Sequence, residues 1–105
     1  MKTDNEIAAL VAEEVFSLLQ VCGTAEDLEK WSIIVSGGRI VKTRETTADS
    51  LMVFDSACLY NQWDMENYGF VPRENWDDPR FVREVVRGML DDTPGLVDKI
   101  RAALR

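Results

Sequence analysis

Ser32-Ile33-Ile34-Val35-Ser36-Gly37-Gly38-Arg39-Ile40-Val41-Lys42-Thr43-Arg44 is the stretch that decides the fold. Isoleucine and valine dominate both flanks, Ser32 to Val35 and Arg39 to Arg44, and β-branched side chains suit a pleated, half-buried surface. Between them Gly37-Gly38 supplies two residues that enter positive φ without steric penalty, as a tight hairpin turn requires. The spacing predicts one β-hairpin. On the second strand Lys42 and Arg44 fall on one face. Together with Arg39 they form a small basic patch, which edge-strand protection explains as well as any ligand would.

Helical spacing surrounds this hairpin on both sides. Upstream, Thr3-Asp4-Asn5-Glu6 reads as a capping box. Ile7, Leu10, Val11, Val15, Leu18 and Leu19 then recur at helical period, and Gly23 is placed to close the helix at C′. Thr24-Ala25-Glu26-Asp27 repeats the cap pattern and opens a short second helix ending near Trp31. Downstream, Leu51, Phe54, Cys58 and Leu59 fit a helix and Leu51-Met52-Val53-Phe54 also fits a third strand; a strand at Leu51–Asp55, followed by less regular or helical chain, is the reading favoured. Asp78-Pro79 is an N-cap and N1 pair, and Phe81, Val82, Val85, Val86, Met89 and Leu90 form the stripe of a helix ending near Asp91-Asp92. Thr93-Pro94 is expected to start a last helix with Leu96, Val97, Ile100, Ala103 and Leu104 inward. The fold expected is α+β: an N-terminal helix, a small antiparallel sheet built on a β-hairpin, and two C-terminal helices on one face. At 105 residues it is one domain, residues 1–105, large enough for a core without metal or disulfides.

Seven of the nine aromatic residues fall between Phe54 and Phe81, with six carboxylates and two bases. Rigid rings beside charge are the composition of a recognition surface. Tyr60, Trp63, Asp64, Glu66, Tyr68 and Trp76 are the partner-binding residues expected there. The net charge of −7 disfavours direct nucleic-acid binding and favours another protein with a basic surface. The composition is that of a small acidic inhibitor or immunity-type protein, and the class includes nucleic-acid mimics.

The chain has no histidine, which removes the commonest general base and the commonest transition-metal ligand. No catalytic residue, metal or cofactor is expected. Gly37-Gly38 lacks the lysine of a phosphate loop. The alternative reading is a small enzyme or ligand-binding domain using Asp55, Asp64 or Glu66 in a pocket lined by Trp63 and Tyr68. Leu51–Tyr60 resembles the hydrophobic-Phe-Asp-Ser/Pro-Ala stretch of aminoglycoside-phosphotransferase-like kinases, whose Asp holds Mg²⁺. It spans about ten of 105 residues, and the catalytic-loop His and Asp that belong before it are missing. The chain is also far too short for a kinase fold, so the match is one of chance. Cys22 and Cys58 lie in no recognisable spacing, which suits thiols in a reducing cytoplasm. No window approaches the roughly 20 apolar residues of a membrane span.

Overall fold

The computed structural model describes residues 2–60 and 71–105. Three strands form one antiparallel sheet in the order β2-β1-β3, with β1 at Ser32–Ser36, β2 at Arg39–Thr43 and β3 at Leu51–Asp55. Gly37 (φ 61°) and Gly38 (φ 74°) both sit in the left-handed region, which defines a two-residue type I′ turn. That turn sets the register from Ser36 opposite Arg39 to Ser32 opposite Thr43. On its other side β1 pairs Ser32 with Asp55, Ile33 with Phe54, Ile34 with Met52 and Val35 with Leu51; Val53 is the extra residue of a bulge.

The helices follow from local caps. Helix α1 (Asp4–Val21) opens with the reciprocal box. The Glu6 N–H donates to Thr3 Oγ1 at 3.2 Å, and the Thr3 N–H donates to Glu6 Oε1 at 3.3 Å. The Thr3 N–H and hydroxyl, both donating to Glu6 Oε1, hold the Glu6 carboxyl below its ordinary pKa. Helix α2 (Ala25–Leu28) is capped by Thr24, α3 spans Ala57–Tyr60, and a 3₁₀ turn spans Arg73–Asn75. Helix α4 (Pro79–Asp91) starts where Asp78 Oδ1 accepts from the Arg80 and Phe81 N–H groups. Helix α5 (Leu96–Ala103) begins after Gly95 at φ 79°. Thr93-Pro94 therefore precedes the last helix rather than starting it. Gly23 also departs from its expected left-handed cap: α1 ends on Cys22 in extended conformation (φ −88°, ψ 123°).

Helix α1 buries Ile7, Ala8, Val11, Ala12, Val15, Leu18 and Leu19, a stripe wide enough to meet both the sheet and α4. Ile33, Val35, Ile40, Val53 and Phe54 join it from the sheet, Val82, Val85, Val86 and Leu90 from α4, and Ile100 from α5. The architecture is α+β with the helices on one face of the sheet. Strands β2 and β3 both run antiparallel to β1, so residues 44–50 must pass across β1 from one end of the sheet to the other. With helices on one face, that crossing falls on the other. Ile34 turns to that face, only 3% exposed, and lies outside the helix-side core. Lys42 points the opposite way, its Nζ donating to Ser17 Oγ at 3.0 Å beside Glu14 at 3.8 Å. A charge turned inward on an edge strand discourages pairing there.

Three variants test these local assignments. Gly38→Ala forces a β-carbon into a left-handed backbone and is expected to lower unfolding free energy by about 1–2 kcal/mol. Gly23→Ala has open space and no such φ, so chemical denaturation should find it neutral or slightly stabilising. The lowered Glu6 pKa gives stability that is present above the unfolded value of about 4.3 and lost as pH falls through the folded one. Glu6→Gln should therefore reduce the acid-induced loss of stability while leaving the curve above pH 6 nearly parallel to the parent.

Candidate protein-binding surface

Ser32 is the hub of one end of the sheet. Thr43 lies opposite it on one side and Asp55 on the other, with α2 just upstream in the chain and α3 just downstream of Asp55. Helices α2 and α3 touch. The Ser56 N–H donates to the Trp31 carbonyl at 3.1 Å, which ties the start of β1 to the end of β3. Leu28 and Leu59 are fully buried and anchor the two short helices.

Carboxylates dominate what this end exposes. Glu26 and Glu29 come from α2 and its C-cap, Glu45 from the chain leaving β2, and Asp55 from the end of β3. The bases nearby are Lys30 and Arg44. Arg44 is already committed: its Nη2 lies 3.0 Å from Asp27 Oδ1, and its guanidinium stacks 4.9 Å from the centroid of Trp31. Beneath it the Cys22 thiol is pushed up in pKa, first by burial and then by the charge of Asp27, with Arg44 opposing. Cys22 and Cys58 are both thiols. Among the described residues, Trp31 Nε1 and Ser56 Oγ are buried and find no hydrogen-bond partner.

Of the residues expected to bind a partner, Tyr60 stands at this end on α3, 37% exposed. Asp55 is exposed at the end of β3, one oxygen accepting from the Ala57 N–H at 2.9 Å. Trp76 requires a correction, because it is only 2% exposed. Its Nε1 donates to the Val71 carbonyl at 3.1 Å, its carbonyl accepts from Gln20 Nε2 at 2.9 Å, and Arg73 stacks 4.3 Å from its ring. Arg73 also donates to the Gly23 carbonyl. Trp76 therefore fastens the returning chain to the C-terminal end of α1, as a core ring. Trp63, Asp64, Glu66 and Tyr68 lie outside the described residues.

Sequence reasoning missed Trp31, Arg44, Glu26 and Glu29 as members of this surface. Thr24 marked a helix start, yet nothing in the sequence pairs Asp27 with Arg44, seventeen residues on. Asp78 is the helix cap that its neighbouring proline suggested. Among the described residues no group of three or more Cys, Asp or Glu side chains is placed to hold a metal ion, and no helix is long and apolar enough to cross a membrane. The chain matches no protein-family model, and no curated protein or solved structure resembles it significantly.

The opposite environments of the two rings give a direct comparison. Trp76→Ala is expected to lower unfolding free energy by about 3–5 kcal/mol, the scale of a deleted core aromatic. Tyr60→Ala should change it by less than about 1 kcal/mol in the same urea titration.

Proposed function

We propose that this chain is a non-enzymatic protein-interaction module that binds a basic protein surface, in the manner of an inhibitor or immunity protein. One observation carries the reading. Glu26, Glu29, Glu45 and Asp55, scattered over thirty residues of sequence, converge with exposed Tyr60 on one end of the sheet, where Arg44 is already neutralised by Asp27. Carboxylates around an exposed aromatic fit a cationic surface, because charge steers the encounter while the ring contributes contact area at little entropic cost. A basic surface evolved for nucleic acid is the partner this arrangement matches best, and the net charge of −7 extends the attraction beyond the contact itself. Two thiols and no disulfide suit a reducing, cytoplasmic setting.

The test begins with cross-linking capture of the partner, followed by association and dissociation rates measured across ionic strengths. Glu26→Lys with Glu29→Lys should slow association and flatten its salt dependence, leaving dissociation nearly unchanged. Tyr60→Ala should mainly speed dissociation, by roughly tenfold or more if the ring is a hot spot. If folded variants at all three positions associate and dissociate as the parent does, this end of the sheet is not the interface.

A further inference from the structure

The two edges of the sheet are not equivalent. Strand β2 carries exposed Arg39 and the inward Lys42, both obstacles to a cationic strand. Strand β3, Leu51-Met52-Val53-Phe54-Asp55, has no basic residue. It pairs with β1 on one side, and among the described residues nothing hydrogen-bonds to its outward backbone groups. Its Met52 is 46% exposed, exceeded among the large apolar side chains of the described residues by Val21 alone. Exposed carboxylates bracket the strand, Asp49 before it and Asp55 at its end, and Tyr60 follows on α3.

We infer that the outer edge of β3, unpaired among the described residues, is the seat on which the partner docks, by adding a short extended segment with Lys or Arg at its ends. The inference rests on the proposed function and specifies its binding mode. Backbone groups of β3 supply ladder hydrogen bonds to any extended chain, and side-chain contacts then select among them. Met52 offers an apolar contact at mid-strand, while Asp49 and Asp55 attract cations at either end. The bulge at Val53 bends and twists β3, so a long flat strand is rejected and a short one accepted. A second copy of this chain is a poor occupant, because its own β3 would bring Asp49 and Asp55 against like charges.

The probe is a synthetic peptide of alternating valine and threonine with lysine at each end, titrated into the isotopically labelled full chain. Its expected binding shifts the backbone amides of residues 51–55 and slows their hydrogen exchange. Replacing the terminal lysines by glutamates, or the central residue by proline, should weaken binding by roughly tenfold, the scale of one or two lost interactions. Met52→Lys, checked for folding by circular dichroism, should weaken it similarly, and Asp49→Asn with Asp55→Asn should remove its salt dependence. Equal binding of the proline-interrupted peptide, with shifts confined to α2 and Tyr60, would overturn the strand seat while leaving the acidic-surface reading intact. Absence of binding by the lysine-ended peptide overturns the seat, and the captured partner's kinetics then judge the acidic surface separately. A dimer in sedimentation that Met52→Lys dissolves would assign the edge to a second copy and sink the inference as well.

Discussion

Everything in this molecule depends on the register that Gly37 and Gly38 impose on β1 and β2. Side chains alternate across a strand, so a slip of one residue between β1 and β2 would turn one strand's set away from α1, either Ile33 and Val35 or Ile40 with Lys42, which would then lose Ser17 and Glu14. The two positive-φ glycines exclude that slip by fixing Ser36 opposite Arg39. Once β1 is set, Ser32 has Thr43 and Asp55 as neighbours, and the acidic end of the sheet is assembled around it. The position of the acidic end is thus a consequence of turn chemistry at the far end of the same hairpin.

Two arginine–tryptophan stacks then secure the end of the sheet and the end of α1. Arg44 links the exit of β2 to α2 through Trp31 and Asp27, and Arg73 links the returning chain to Gly23 through Trp76. Both guanidiniums stay exposed but are held against rings, and Arg44 is paired with Asp27. What remains facing solvent beside Trp31 is dominated by carboxylate, which is how the charge of a modest segment becomes a directional feature of one surface.

The fold was legible where local rules sufficed. The capping box at Thr3, the Asp78-Pro79 start and the Gly37-Gly38 turn each satisfy backbone groups within a few residues, so their sequence is their structure. Strand β3 was the favoured reading of Leu51–Asp55, although Leu51, Phe54, Cys58 and Leu59 also fit helical spacing, and pairing with β1 decides it. The site was much less so. An aromatic-rich segment announces that some rings are buried and some exposed, but only tertiary packing assigns Trp76 to the core and Tyr60 to the surface. The same limit applies to Arg44, whose ion pair with Asp27 exists only because β2 ends beside α2. Last-helix boundaries slipped for a smaller reason: Gly95 at φ 79° breaks the chain direction after Pro94, and helical geometry resumes one residue later.

The passage of residues 44–50 across β1 also dictates an order of assembly. Ser32 meets Thr43 across a loop of ten residues, a closure that hairpins complete in about 1–10 μs. Its pairing with Asp55 encloses the whole of β2 and the crossing, so it closes a longer loop at greater entropic cost. On a growing chain, the hairpin and α1 have all their residues before β3 has emerged. The acidic end, with Asp55 and Tyr60, is therefore completed late, and a nascent chain stalled before β3 carries the hairpin without the finished surface.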